Sequence, residues 1–255
     1  DRPNDWQPTG LVFGPEASNP QLRFGMRWPH QHIVGDHTHL LYFLGRSALD
    51  NGYVYPNHIY VAISEDAGKS YRIHPESPII GIDHPFELRG LGTLCVVRSG
   101  ERFHMFYTAA DVQDHIGIGM AVSPDGLKWE KQTDRFLIAP RLDTVSPFET
   151  KVAYPHVIRD GDLWRMWVST FGRTENAFSP YKIHSLVSRD LRHWEWTPHA
   201  RQGDLGYGPP GSFDSDMRCY ASVVKRGDRY HLWYTGNKYG VTGMGHAVGR
   251  VAGPS

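Results

Sequence analysis

Apolar and aromatic residues alternate with polar ones in short runs: HLLYFL from position 39, FHMFYTA from 103, WRMWVST from 164 and YHLWYTG from 230. A period of two places successive side chains on opposite faces, so each run predicts an antiparallel strand. Each is preceded by an apolar run (HIV, TLCVV, HVI, ASVV) and a polar turn (GDHT, RSGER, RDGDL, KRGDR). Each is followed, after a loop of variable sequence, by a third strand (IYVAIS, IGIGMAVS, KIHSLVS, GMGHAVG). Helical periodicity is almost absent, and the chain is expected to be all-β.

The third strands lead into a recurring turn: SEDAGKSY at 64–71, SPDGLKW at 123–129 and SRDLRHW at 188–194. With Trp6 of NDWQPTGLVF taken as a fourth equivalent of Tyr71, Trp129 and Trp194, the spacings are 65, 58 and 65 residues. A four-stranded antiparallel unit repeated at this period predicts a β-propeller of four-stranded blades, with four blades visible and a five-bladed ring as the alternative. The last unit stops after its third strand, whereas the chain begins on an isolated fourth-strand motif, so the N-terminal strand is expected to close the last blade. Residues 1–255 then form one domain. The repeated Asp66, Asp125 and Asp190 are expected to cap hairpin turns, with the aromatic that follows packing between blades.

Composition narrows the function classes. The 27 basic and 27 acidic residues balance, which gives a nucleic-acid or membrane-surface partner no electrostatic support. No apolar run approaches the ~18 residues of a membrane helix, and no signal peptide opens the given chain, so a soluble protein is expected, its compartment undefined. Cys95 and Cys219 lie in apolar runs and are expected to be buried free thiols. The alternating glycines of GIGM and GMGH fall on strands rather than before a helix, which excludes a dinucleotide loop.

In a propeller, a central site is lined by the starts of the first strands and by the loops between strands two and three. The first-strand starts share a pattern, PFELRG at 85, PFETKVAYPH at 147 and SFDSDMRCY at 212, each with an acid (Glu87, Glu149, Asp214) followed by a cation (Arg89, Lys151, Arg218). The first unit offers Arg23, Arg27, His30 and His32 instead. These groups either neutralise one another as a structural ion ring or hold displaced pKa values suited to acid and base work. Asp111, Glu175, Asn176, Tyr181, Asn237 and Tyr239 fall in the loops and suit a sugar-binding rim. His30 and His32 alternate along a strand and, with His156, form the best metal candidate among 15 histidines.

The YHLWYTG strand, the IGIGMAVSPDGLKW hairpin and the YPHVIRDGDLWRMWVS stretch together resemble the propeller glycoside hydrolases of families 43, 32 and 130. That resemblance spans essentially the whole chain. It implies five blades, carboxylates at the inner ends of first strands, often as Asp-Pro, and a further acid from a later blade. Here Tyr154 stands before Pro155 and Tyr220 takes the comparable position in the last unit, so the Asp-Pro pattern is absent. What the resemblance carries over is limited to Glu149, the foremost candidate, with Glu87, Asp214 and Asp216 as partners. Arg27, Arg89, Lys151 and Arg218 are expected to orient the substrate, and His30, His32 and His156 to assist. No cofactor is required by this reading, and a structural calcium or other divalent cation in the central channel is what the resemblance adds. The expected function is glycoside hydrolase-like action on a saccharide or sugar-derived ligand. The alternatives are a lyase or isomerase in which Tyr154, Tyr220, His30 or His156 moves protons, and a carbohydrate-binding protein without turnover.

Overall fold

The computed structural model describes residues 10–11, 13–14, 22, 25–46, 57–141, 150–173, 178–198 and 203–250. Within them the alternating runs form β1 (Met26–Ile33), β2 (His39–Arg46), β3 (Asn57–Ser64) and β4 (Arg72–Ile73), then β5 (Gly90–Ser99), β6 (Arg102–Ala110), β7 (Ile116–Ser123) and β8 (Glu130–Lys131). The same order returns in β9 (Lys151–Asp160), β10 (Leu163–Arg173), β11 (Phe178–Ser188) and β12 (Glu195–Trp196), and again in β13 (Cys219–Arg226), β14 (Arg229–Thr235) and β15 (Met244–Gly249). Each group is an antiparallel meander in chain order, and a single parallel bridge between Ile116 and Lys151 joins the second group to the third. Strands β1, β5, β9 and β13 pack in succession and form the inner edge of the assembly. No sheet closes on itself among the described residues, and Trp6 lies outside them.

The core lies between neighbouring groups. Leu40, Tyr42 and Leu44 of β2 meet Leu94, Val96 and Met105 of the second group. Phe106 and Met120 meet Val157 and Met166 of the third. Trp167 and Ile183 meet Val223, Leu232 and Tyr234 of the fourth. The middle sheets are therefore buried on both faces, which is why β6 and β7 read as nearly continuous apolar runs.

The Ser-x-Asp turns behave as expected of scaffold. Asp66 Oδ1 accepts the N–H groups of Lys69 and Ser70, Asp125 Oδ1 those of Leu127 and Lys128, and Asp190 Oδ1 those of Arg192 and His193. The serine at each turn's start accepts a further N–H, from Gly68, Gly126 or Leu191. The aromatic that follows crosses to the preceding group: Trp129 lies 5.9 Å from Tyr42, and Trp194 lies 5.6 Å from Phe106. A cavity of about 970 Å³ runs between the third and fourth groups, lined by Trp167, Trp196, Tyr230, Leu232 and Val248. Cys95 and Cys219 are buried free thiols. No helix among the described residues is long and apolar enough to cross a membrane.

Candidate functional site

Each inner strand slips its register once against the second strand of its group, between Arg27 and His30, Leu91 and Leu94, Ala153 and His156, and Cys219 and Ser222. A bulge of this kind re-aims the side chain it carries. Three of the four hold an aromatic residue in the left-handed region, Trp28 at φ 51°, Tyr154 at 59° and Tyr220 at 60°. For a residue with a Cβ this conformation costs about 1–2 kcal/mol, so it persists only where neighbours hold it. They do so here. The Tyr154 N–H donates to Thr108 Oγ1 at 3.2 Å and the Tyr220 N–H to Ser169 Oγ at 3.0 Å, each hydroxyl coming from the second strand of the preceding group.

The bulges bring the tyrosines together. The rings of Tyr154 and Tyr220 lie 4.1 Å apart. Tyr181 stands 5.9 Å from Tyr220 and 5.6 Å from Tyr239, and it stacks on Phe171 at 3.9 Å. Trp28 meets Tyr154 edge-on at 6.1 Å, with the Arg27 guanidinium 6.0 Å from the indole. Burial raises the pKa of Tyr154, Tyr181 and Tyr220, so all three phenols keep their protons. Beneath them burial pushes the Cys219 thiol up to about 11.

Arg218 pairs with Asp214 as its sequence spacing suggests, whereas Arg89 turns away from Glu87. Arg89 and Lys151 both reach Asp114, each at 2.7 Å, with Lys151 Nζ 5.9 Å from the Phe171 ring. Glu87, fully buried, ends a short 3-10 turn. It accepts from Tyr107 Oη at 2.8 Å, from the N–H groups of Asp83 and His84 at 3.2 Å, and from Lys131 Nζ at 2.6 Å. Asp214, also buried, accepts from Tyr234 Oη at 2.7 Å, Ser212 Oγ at 2.8 Å and Arg218 Nε at 2.8 Å. Burial alone would raise its pKa, and these bonds hold it below the usual carboxylate range. Both acids thus brace the groups they belong to. The side chain of Asn237 accepts from the Asp216 and Met217 N–H groups at 2.9 and 3.0 Å and pins that loop, while Asp216 itself is exposed. Glu149, Glu175, Asn176 and Arg23 lie outside the described residues.

The histidines tie inner strands to one another. His30 Nε2 lies 3.0 Å from the Val96 nitrogen and 3.2 Å from the Val96 carbonyl oxygen, and His156 Nε2 donates to the Val223 carbonyl at 2.9 Å. Between them the Val157 N–H donates to Cys95 Sγ at 3.3 Å, so β1 is tied to β5, β5 to β9 and β9 to β13. Burial lowers the pKa of His30 to about 4 and that of His156 below its ordinary value. His32 packs against Phe103 at 5.3 Å. Among the described residues no group of three or more His, Cys, Asp or Glu side chains is placed to hold a metal.

The uncharacterized protein Rv1502 of Mycobacterium tuberculosis is 34% identical to this chain over 225 residues, which cover 84% of this chain and 68% of the mycobacterial protein. The chain belongs to the Rv1502 family. No family model matches it. Among solved structures, a thermostable family-43 glycoside hydrolase superposes with a TM-score of 0.60 at 15% identity, over 88% of this chain and 68% of that one. The β-1,2-mannobiose phosphorylase from Listeria innocua, in complex with β-1,2-mannobiose, gives 0.60 at 12% identity, over 88% and 72%. The fold of this Rv1502-family chain is that of the propeller glycoside hydrolases.

One feature of the Rv1502-family chain went unread in its sequence. Tyr107 pairs across the ladder with Gly119, and Tyr234 with Gly245. A Cβ at Gly119 would stand 2.5 Å from Tyr107 Cζ, and one at Gly245 would stand 2.3 Å from Tyr234 Cζ. The glycine leaves room for the ring whose hydroxyl reaches Glu87 or Asp214. In the third group the same pair is Val168 and His184, a smaller residue facing a larger one. The glycines of GIGM and GMGH were the signal.

Proposed function

We propose that the cluster formed by Trp28, Tyr154, Tyr181, Tyr220 and Tyr239 takes a saccharide or sugar-derived compound, and that the protein is a glycoside hydrolase-like, carbohydrate-active enzyme. The observation that carries this is the Tyr154–Tyr220 ring pair, each residue held at positive φ by a hydroxyl of the preceding group and the pair continuous with a stacked aromatic wall. Aromatic faces with polar edges are suited to the apolar faces of sugar rings, and strain maintained at equivalent positions marks a functional surface. The propeller glycosidase fold supports the reading, as does a neighbour described with a bound disaccharide. Hydrolysis needs an acid and a second carboxylate roughly 5–9.5 Å apart. With Glu87 and Asp214 engaged in bracing the sheets, we assign that pair to Glu149, two residues before Lys151 at the start of β9, and to Asp216.

A second reading, a sugar-binding protein without turnover, is favoured by one observation. Tyrosines occupy the bulge positions of β9 and β13, where the resembling families place aspartates, and a buried phenol is a poor acid for glycosidic oxygen. Wild type and Glu149→Gln are to be compared against aryl glycosides and oligosaccharides, with product release followed by mass and ligand binding by thermal shift. Release that collapses in the variant supports the enzyme. Binding with no product from either protein supports the second reading, and no binding by any saccharide refutes both.

For the fold, we propose that the four groups are propeller blades and that the N-terminal strand completes the last one, with Trp6 seated in the cavity between the third and fourth groups. Trp167 there stands where Phe106 receives Trp194, and Val248 where Val187 pairs with Glu195 of the fourth strand.

A further inference from the structure

The fourth group turns one face to the core and the other outward. Tyr230, Leu232 and Tyr234 of β14 pack inward, so His231 and Trp233, which alternate with them along the strand, lie on the outer face. Trp233 stands directly opposite His246 of β15, and His231 stands opposite Val248, which makes the two histidines diagonal neighbours. Their rings meet edge to edge. His231 Nδ1 lies 3.1 Å from His246 Nε2, and the two imidazoles are 10° from coplanar. The indole of Trp233 flanks both, 4.8 Å from His246 at 21° and 6.1 Å from His231 at 25°.

Other histidines are committed to groups of a different kind: His30 to the Val96 backbone, His156 to the Val223 carbonyl, His115 to Asp111 and His193 to Asp190. Among the described residues the ring nitrogens of His231 and His246 bond only to each other, so no carboxylate or carbonyl fixes either tautomer. A neutral imidazole can then carry its proton on the far nitrogen and present a lone pair on the near one. Two facing lone pairs make a bidentate ligand. An ion at the roughly 2.0–2.1 Å of a metal–imidazole bond would see the two nitrogens about 100° apart, between square-planar and tetrahedral angles, once each ring turns by about 40°. His246 and Trp233 are exposed, which leaves the remaining coordination positions to solvent. A pair that offers nitrogen and no oxygen suits copper, nickel and zinc rather than calcium or magnesium.

We propose that His231 and His246 form a two-histidine site for a divalent late transition-metal ion, copper(II) foremost, on the outer face of the fourth group. The site is separate from the aromatic cluster and does not depend on the saccharide reading. Copper(II) leads because it heads the affinity order for nitrogen ligands and accepts an angle near square. Bound there, the ion clips β14 to β15 in a group that has three strands where the others have four among the described residues, and it stabilises that group by binding only the folded arrangement.

The test is calorimetric titration of the untagged chain at neutral pH with copper(II), nickel(II), zinc(II) and calcium salts, joined to electron paramagnetic resonance of the copper complex. Wild type is expected to bind copper(II) about tenfold or more tighter than nickel or zinc, and calcium not at all. Its spectrum is expected to carry the splitting of two imidazole nitrogens. His231→Gln and His246→Gln are each expected to weaken copper binding by about tenfold or more and to remove the two-nitrogen pattern. The two variants lie on different strands, so one serves if the other fails to fold. His193→Gln is the control, because His193 with Asp190 is another exposed pair of metal-ligating groups, and it is expected to leave copper binding unchanged. Absence of copper binding overturns the proposal. So does binding that survives the His231 and His246 variants, or binding that is lost with His193→Gln.

Discussion

The burial of His30 between β1 and β5 makes stability depend on pH in a way that can be worked out. Its Nε2 lies 3.0 Å from the Val96 nitrogen and 3.2 Å from the Val96 carbonyl oxygen. A charged ring loses its hydration there, and the bond to Val96 offsets only part of that cost. The pKa of His30 falls from 6.5 to about 4, with burial the largest cause. In the unfolded chain the ring protonates near 6.5, in the folded chain only near 4, so the unfolded state binds the extra proton first as pH falls. The stabilisation is complete above pH ~6.5, is lost as pH drops from 6.5 towards 4, and is constant below that. At ~1.4 kcal/mol per pH unit the loss comes to about 3 kcal/mol, a large part of the 5–15 kcal/mol typical of a domain. The assay is equilibrium urea unfolding at fixed ionic strength between pH 7.5 and 4, on wild type and His30→Gln. The glutamine carbonyl can accept from Val96 without titrating. Other histidines contribute equally to both proteins and cancel, so the stability difference should move by about 3 kcal/mol in favour of the variant across this range. Parallel profiles would refute the assignment of the lost stability to the buried His30 ring.

Two further outcomes are expected. Gly119→Ala puts a methyl 2.5 Å from Tyr107 Cζ and displaces the hydroxyl that donates to Glu87, so thermal unfolding should show a loss of about 2–4 kcal/mol, and a change under 0.5 kcal/mol would contradict the packing described. Trp6→Ala should lower stability by about 3–5 kcal/mol if the indole fills the cavity beside Trp167, and an unchanged melting temperature would rule out that seat.

Much of the fold was legible in the sequence because its determinants are local. Alternation placed the strands, and the Ser-x-Asp turns satisfy their backbone groups within a few residues, as Asp125 does with Leu127 and Lys128. The site was legible only where its partners are also local. Asp214 and Arg218, four residues apart, do pair. Glu87 and Arg89 follow the same pattern and do not, because the cation that reaches Glu87 is Lys131, 44 residues onward, delivered by the last strand of its own sheet. Spacing along a chain carries no information about such a partner. The positive φ of Tyr154 and Tyr220 was hidden for a related reason. Pro155 of YPH is a signal of a bulge or an edge, but nothing in YAS marks one, and the groups that stabilise the two bulges, Thr108 and Ser169, belong to a different repeat. His30 and His156 drew attention as ligands because their chemistry is versatile, whereas the structure uses them as ordinary hydrogen-bonding spacers between strands.

The hydroxyls of Thr108 and Ser169 also bear on how such a repeat can change over time. Each supplies the contact that lets the following repeat hold its tyrosine in a costly conformation, so inheritance of the binding surface is staggered by one unit relative to inheritance of the sheets. Duplicating or exchanging a single repeat would carry the tyrosine to a new place and leave behind the residue that holds it. Segments cut between the first and second strands of one repeat and of the next would travel with their support. Recombination, natural or designed, should therefore preserve the site when its junctions fall in the turns between first and second strands, and lose it when they fall between groups or in the loops between second and third strands.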